Sequence, residues 1–348
     1  ANETMSRMMS KPRGSSRSMG GKLPVPDLSD DMVMRVVAGI RPCREGGLKL
    51  QPGKLGSRTV IHNYGQGGCG VTLSWGCAEL VGEMVKEAAG EKADVAVLGG
   101  GVTGLTSALV LAEQGHSVTV VAESFGEETT SVVAGALWLP TGIDFPKKKA
   151  DRARFNDILR RSAKRFGMLD RGLWGVEELP VYEPADSEEH PEYFESGVMG
   201  APRELTKAEP KPGSIKEGRL FRANFMHTPR FMRTLHEACQ KKKVGFIEER
   251  IESLADAKAV EGDVVVNCLA MGSKTVFNDQ KMYGARGVLV HLEPQELGYI
   301  VHDSYKYMFP REDALILGGS FEPNQEDDES TEAMAEEILE HHRAFFGQ

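Results

Sequence analysis

The chain has 348 residues, of which 40% are hydrophobic and 27% charged, and its formal net charge is −9. This composition is typical of a globular protein with a sizeable core, and the acidic balance argues against nucleic acid as the main partner. No apolar run is long enough to span a membrane, and five cysteines without CxxC spacing indicate neither a disulfide framework nor a metal site.

In chain order, residues 1–30 are predicted to form an irregular tail. Its start is rich in Ser, Arg, Met and Gly and contains a single acid, Glu3. Such a composition occurs in organelle-targeting segments and equally in disordered tails. We therefore expect an intracellular protein, located in a peroxisome, a plastid or another organelle, or otherwise in the cytoplasm.

The next elements are a strand at 32–40, a strand that opens the glycine-rich stretch 60–72, and a helix at 73–88, whose apolar side chains follow helical spacing. A compact β-α-β unit follows, with a buried strand at 93–98, a helix at 105–114 and a strand at 116–122. Later elements complete an α/β pattern: helices at 150–168, 231–243 and 331–346, strands at 244–251 and 262–269, and alternating strands between 287 and 318 that suit an antiparallel sheet.

The turn of the β-α-β unit has the spacing G-x-G-x-x-G, formed by Gly99, Gly101 and Gly104. In this motif the glycines permit a tight turn, close approach of a diphosphate and packing of the helix on the strand. The amides of Val102 and Thr103 then open the helix and attract phosphate. Glu123 ends the second strand, where a carboxylate can accept hydrogen bonds from a ribose. This context predicts a dinucleotide site, without choosing between NAD and FAD.

The segment after this unit resembles the D-amino-acid oxidase family of flavoproteins, which selects FAD. The matching residues are Thr129-Thr130-Ser131 and the run 133–140, VAGALWLP. The resemblance implies that the hydroxyls lie near the phosphates and ribitol, and that the backbone of Gly135, Ala136 and Leu137 lies near the flavin ring. It implies Ile251 as a further FAD contact.

The front of the chain is similar to the segment that normally ends this family. Gly39-Ile40-Arg41-Pro42, the run 60–72 and 75–78 carry this likeness, ahead of the dinucleotide motif. We therefore predict an α/β fold in circularly permuted order, with a Rossmann-type FAD domain and a second, antiparallel substrate domain. The expected units are the tail 1–30, a permuted segment 31–92 that completes the FAD domain, the β-α-β core 93–170, the substrate domain 171–325 and a C-terminal helix 326–348.

The resemblance also implies roles in catalysis. Arg41 would bind an amino-acid carboxylate, because a guanidinium supplies a fixed, bidentate cation. Tyr307 would donate its hydroxyl to the same carboxylate, and the carbonyl of Gly68 would accept from the substrate amine. The backbone of Gly67, Gly70, Val71 and Thr72 would approach the flavin pyrimidine.

The expected function is FAD-dependent oxidative deamination of D-amino acids, with hydrogen peroxide as a product. The alternatives are a related amine oxidase acting on glycine, sarcosine or D-aspartate, or an inactive FAD-binding subunit; a homodimer or a larger assembly stays open. Residues that depart from the family pattern are Leu139, Val288, Cys69 and the short segment 302–307, in which Tyr305 is the one substitute for a second tyrosine. His62 and His302 are interpreted as structural, although His302, Arg311 or Arg222 near the site would favour an acidic substrate.

Overall fold

The computed structural model describes residues 22–133 and 135–348. Most of the predicted tail, and the targeting interpretation that depends on it, lies outside the described residues. Residues 22–29 are irregular, as predicted, yet they pack against the C-terminal helix: Leu28 is fully buried, and its carbonyl accepts a hydrogen bond of 2.8 Å from Arg343 Nε.

The strands are β1 (Val33–Arg44), β2 (Lys49–Leu55), β3 (Arg58–Tyr64), β4 (Asp94–Leu98), β5 (Ser117–Ala122), β6 (Ala136–Leu137), β7 (Val176–Pro184), β8 (Arg203–Glu204), β9 (Gly218–Met226), β10 (Gly245–Glu248), β11 (Val264–Asn267), β12 (Met282–Leu292), β13 (Ile300–Asp303), β14 (Lys306–Pro310), β15 (Leu315–Gly318) and β16 (Glu322–Pro323). The helices are α1 (Gly70–Ala89), α2 (Val102–Glu113), α3 (Lys149–Met168), α4 (Arg171–Trp174), α5 (Thr228–Lys241), α6 (Leu254–Ala259), α7 (Ser273–Val276) and α8 (Glu332–Phe346). Single turns of 3-10 helix lie at Asp30–Met32, Gly67–Cys69, Gly126–Glu128, Thr130–Val132, Pro191–Phe194 and Ala270–Gly272.

The first sheet is parallel apart from one edge strand, and its strand order is β10-β5-β4-β11-β3-β2. Its central strands are runs of Val, Ala and Leu, as expected for strands that are covered on both faces. Val95 and Val97 face the helices α1, α2, α3 and α5, while Ala96 and Leu98 pack on the other side with Val276 of α7. The carboxyl ends of β3, β4, β5, β10 and β11 therefore meet at one edge.

The second sheet is largely antiparallel, with the order β1-β12-β15-β14-β13-β7-β9-β6. Strand β1 pairs with β12 from Val33↔Leu292 to Arg44↔Met282. Helix α8 covers one face of the sheet through Ile338 and Phe346. The hydroxyl of Thr331 caps this helix by accepting from Met334 N at 3.2 Å.

The predicted α/β class, with a parallel and an antiparallel sheet, is confirmed. Several predicted boundaries differ from the structure, and two of these differences concern the site. Helix α1 begins at Gly70 instead of residue 73, because the hydroxyl of Thr72 is tied to the backbone of Leu139 and holds a glycine-rich start in helical form. Strand β10 ends at Glu248, so Ile251 lies in the segment after it. Within the described ranges, no helix combines the length and the hydropathy that crossing a bilayer requires.

The segment 33–89 is part of both sheets and forms no domain of its own. Strand β3 lies next to β11 in the parallel sheet, and β1 lies next to β12 in the antiparallel sheet. Helix α1 ends at Ala89, and Gly90 turns the chain with a φ of +80° before β4 begins at Asp94. The permuted order and the proposed division into domains both stay predictions.

Candidate cofactor and substrate site

Both sheets contribute residues to one cleft with a volume of about 910 Å³, a size in the range of small-molecule sites. The residues that the sequence predicted for catalysis and for the cofactor all line it. They are Arg41, Tyr307, Gly68, Gly99, Gly101, Val102, Thr103, Gly104, Glu123, Thr129, Thr130, Ser131, Gly135, Ala136, Leu137, Ile251, Gly67, Gly70, Val71 and Thr72. Their individual roles stay predictions, whereas their convergence on one cleft is a property of the structure.

The three motif glycines have different reasons to be glycine. A Cβ on Gly99, whose φ is +112°, would lie 2.2 Å from the carbonyl oxygen of Cys268, and a Cβ on Gly104 would lie 1.9 Å from that of Gly99. These two positions are therefore fixed by backbone packing. A Cβ on Gly101 would meet only the hydroxyl of Ser131, at 3.2 Å. Gly101 thus leaves open space at the start of α2, where a diphosphate would need it.

A hydroxyl turn lies over the start of helix α2. The amide of Val102 donates to Ser131 Oγ at 3.1 Å, and the hydroxyl of Thr129 donates to the carbonyl of Gly126 at 2.7 Å. Helix N-termini carry amides without intrahelical partners and a positive end of the helix dipole. Helix α2 and this turn together therefore form a site for an anion such as a phosphate.

Acidic and basic side chains form ion pairs at the exposed end of the cleft. Glu123 follows β5 and lies 3.3 Å from Arg250, which follows β10 and lies 3.3 Å from Glu252. The sequence prediction did not include Arg250 and Glu252. The signal for them was available, because parallel neighbouring strands end at the same edge of a sheet. These ion pairs are solvent-exposed, so they contribute little to stability and leave Glu123 accessible to a ribose.

The glycine-rich stretch before α1 packs against the turn at residues 141–142. A Cβ on Gly67, whose φ is +56°, would lie 2.0 Å from the carbonyl oxygen of Gly142, and the amide of Gly68 donates to that oxygen at 2.9 Å. Packing on the 141–142 turn therefore requires Gly67 to be glycine, whatever the ligand. The amides of Gly70, Val71 and Thr72 form the first turn of α1 and border the cleft.

Arg41 is a cation that lacks an acidic partner among the described residues. Its guanidinium covers Gly287, where a Cβ would lie 2.6 Å from Nη1, and it lies 5.4 Å from the ring centres of both Tyr305 and Phe321. Those rings stack on each other at 4.5 Å, and Nη1 donates to the carbonyl of Ser320 at 3.4 Å. A guanidinium held flat in this way, with its charge unopposed, is suited to bind a carboxylate.

Tyr307 lies beside Arg41 on the same wall. Its ring stacks on Phe309 with centres 4.1 Å apart and covers Gly318, where a Cβ would lie 2.5 Å from the ring. Burial raises the pKa of the Tyr307 hydroxyl, and its hydrogen bond and charge interaction with Arg41 partly offset that rise. The hydroxyl is therefore protonated at neutral pH and can donate to an anion bound at Arg41.

The interpretation of His302 as structural was incomplete, because this residue lines the cleft. His62, by contrast, is enclosed: its Nδ1 lies 3.1 Å from Asn267, and burial lowers its pKa to about 4. Arg311 is bound to Asp313 and to the carbonyl of Val132, and Arg222 pairs with Glu178, both away from the cleft lining. Of the three candidates for an acidic substrate, only His302 is in place, alongside Tyr305.

Comparison with known proteins matches residues 94–348 to the family described as FAD dependent oxidoreductase. The chain belongs to this family. It is similar to a D-amino-acid oxidase of Streptomyces coelicolor, with 32% identity over 261 residues that cover 69% of this chain and 72% of the relative. It is also similar to a human D-aspartate oxidase, with 27% identity over 239 residues, 66% of this chain and 69% of the relative.

Among solved structures, the fold is similar to glycine oxidase from Geobacillus kaustophilus, with a TM-score of 0.55, 17% identity and coverage of 74% of this chain and 79% of that one. The predictions of an FAD-dependent oxidoreductase and of the D-amino-acid oxidase type are thereby confirmed. The cleft fits FAD on structural grounds. The open space at Gly101 and the start of α2 can take a diphosphate, and Glu123 at the end of the next strand can bind a ribose.

Proposed function

We propose that this member of the family oxidises the α-amino group of D-amino acids to an imino group, with hydrogen peroxide as the second product. The observation that carries the proposal is Arg41. It is a half-buried guanidinium without an acidic partner among the described residues, beside the protonated hydroxyl of Tyr307 in the cleft that fits FAD. A carboxylate that binds there brings the neighbouring Cα into the same cleft.

The residues of the chain would act mainly by orientation. Arg41 and Tyr307 hold the substrate carboxylate, and the carbonyl of Gly68 accepts a hydrogen bond from the amine. FAD, when bound, supplies the acceptor for the Cα hydride and passes the electron pair to oxygen. The apolar side chains of Leu137, Leu289 and Phe309 line the cleft and exclude water. The imino acid is hydrolysed by water to the 2-oxo acid.

We also propose that the chain is a circular permutation of the family order. The family match begins at residue 94, yet the segment before it supplies two adjacent strands of the parallel sheet and carries Arg41 and Gly68. The segment before β1 contacts the end of α8, since the amide of Leu28 donates to Gln348 Oε1 at 3.1 Å. In the usual family order these two segments would follow one another, so their contact supports the permutation.

Two other functions have support. Oxidation of glycine, sarcosine or D-aspartate would use the same carboxylate site, and relatives with the names glycine oxidase and D-aspartate oxidase are among the similar proteins. An FAD-binding subunit without turnover, alone or in a larger assembly, would explain the short β13–β14 turn. The unopposed charge of Arg41 favours a protein that binds substrate, because a guanidinium without function would be held here at a desolvation cost.

The test is a peroxide assay on the purified protein, saturated with FAD, against D- and L-amino acids, glycine and sarcosine. The proposal predicts turnover with D-amino acids and none with their L-enantiomers. Turnover confined to glycine or sarcosine would support the related oxidase, and bound FAD without any turnover would support the inactive subunit.

A further inference from the structure

A buried row of polar side chains crosses the antiparallel sheet and ends in the cleft. The strand register pairs Glu183 with Arg219 and His302 with Tyr307. Pairs one residue away, Val301↔Tyr182 and Met308↔Leu317, place His302 beside Glu183 and Tyr307 beside Gly318. Paired residues on neighbouring strands project from the same face. The row therefore runs through Arg219, Glu183, His302 and Tyr307, and the ring of Tyr307 covers Gly318.

The row fixes the orientation of His302. Its Nδ1 lies 3.0 Å from Glu183 Oε1, and Glu183 Oε2 lies 3.5 Å from Arg219 Nε. The exposed fractions of the three side chains are 7%, 12% and 8%. With Nδ1–H donating to Glu183, the imidazole presents Nε2 as its second hydrogen-bonding atom. His302 borders the cleft, whereas Glu183 and Arg219 lie behind it.

The wall around His302 offers donors and cations. Strands β1, β12, β13 and β14 and the turn after β13 line the cleft with Arg41, His302, Ser304, Tyr305 and Tyr307, and with no carboxylate among the described residues. Three of the acids that border the cleft are already paired: Glu123 and Glu252 with Arg250, and Glu326 with Lys274 and the amide of Gly284 on β12; Glu128 belongs to the turn after β5. An ammonium side chain would find no acidic partner on these strands, whereas a carboxylate or a carboxamide can pair with the imidazole of His302.

We propose, building on the proposed function, that His302 recognises the substrate side chain and selects D-amino acids that end in a carboxylate or a carboxamide. To donate to Glu183 from Nδ1 and to a carboxylate side chain from Nε2, the imidazole would carry a proton on both nitrogens. The strand register places Glu183 on β7 and Tyr307 on β14 next to the imidazole, with Arg219 of β9 behind Glu183; Arg41 and Tyr305 line the same cleft.

The experiment compares D-glutamate, D-glutamine and D-norvaline, which have similar side-chain lengths, in the FAD-saturated protein. The variants are His302→Leu and His302→Gln, and His190→Gln, outside the cleft, is the matched control. We expect His302→Leu to lower kcat/KM for D-glutamate by about 10- to 100-fold, the range for a hydrogen bond that involves a charge, with little change for D-norvaline. His302→Gln should retain its activity with D-glutamine and lose most of its activity with D-glutamate.

A second measurement needs no turnover. Glutarate and pentanoate differ by one carboxylate, and their dissociation constants follow from the change that each causes in flavin absorbance. The wild type should bind glutarate more tightly than pentanoate, whereas His302→Leu should bind the two ligands alike. Structural damage alone would not produce this difference.

The outcomes separate the two proposals. The protein could turn over apolar D-amino acids best, with His302→Leu changing kcat/KM equally for all substrates. This result would overturn the role of His302 and leave the proposed function intact. Bound FAD without turnover of any amino acid would overturn the proposed function, and the side-chain role with it.

Discussion

Arg41→Ala tests how the substrate is held. The substitution removes the guanidinium that covers Gly287 and lies 5.4 Å from the rings of Tyr305 and Phe321. No acid among the described residues pairs with Arg41, so its removal leaves no carboxylate buried without a partner. We therefore expect a folded protein that still binds FAD, with a free energy of unfolding close to that of the wild type.

The expected effect on catalysis is large. Loss of a bidentate, charge-assisted pair from a desolvated site costs about 3 kcal/mol or more. This corresponds to a loss of roughly 100-fold in kcat/KM. Arg41→Lys should recover little, because an ammonium cannot reproduce the planar fork that lies against two stacked rings. Tyr307 alone would retain one hydrogen bond to the carboxylate, so a residual activity is expected.

The assay measures peroxide production and visible absorbance for the wild type, Arg41→Lys and Arg41→Ala with several D-amino acids. Arg222→Lys is the matched control, since Arg222 pairs with Glu178 on the exposed edge, away from the cleft lining. Near-normal kcat/KM in Arg41→Ala, with FAD bound, would refute the assignment of the carboxylate to Arg41.

Three further predictions concern the cofactor and the chain order. FAD should bind noncovalently, because burial raises the pKa of Cys268 to about 12 and that of Cys69 well above its ordinary value, which keeps both thiols protonated; flavin that stays with acid-precipitated protein would contradict this. Gly101→Ala should keep the melting temperature and weaken FAD binding measured by fluorescence quenching, whereas Gly104→Ala should lower the melting temperature, and equal effects would refute the distinction. A chain that runs from 93 to 348 and continues through a short linker into 22–92 should fold and bind FAD, while 93–348 alone should not, and the reverse result would contradict the permutation.

Local patterns predicted the part of the site that lies on the β-α-β unit. The spacing of Gly99, Gly101 and Gly104 and the position of Glu123 follow from backbone geometry that extends over a few residues. Local patterns could not predict which glycines are required by backbone packing. The atoms that exclude a Cβ at Gly99 and Gly67 belong to Cys268 and Gly142, which are distant in sequence. The resemblance pointed to Arg41 and Tyr307, whose proximity depends on the strand order β1-β12-β15-β14.

The polar row through His302 could not be predicted from local sequence patterns. It depends on the register of β7, β9, β13 and β14, and a shift of one residue would turn His302 to the other face of the sheet. A histidine in a short apolar strand is most often packed into a core, and the sequence contains no signal that pairs it with Glu183. Long-range strand pairing therefore supplied the information that the sequence pattern lacked.

We propose that the cleft holds FAD with a D-amino acid beside it, close enough for the Cα hydride to pass to the flavin. Anaerobic mixing of the FAD-saturated protein with a D-amino acid, followed by visible absorbance, measures this step directly. We expect the visible absorbance band of oxidised flavin to be lost at a rate of about 1 to 1,000 per second with the D-enantiomer and to persist with the L-enantiomer. A band that persists with every D-amino acid, in protein that contains stoichiometric FAD, would contradict it.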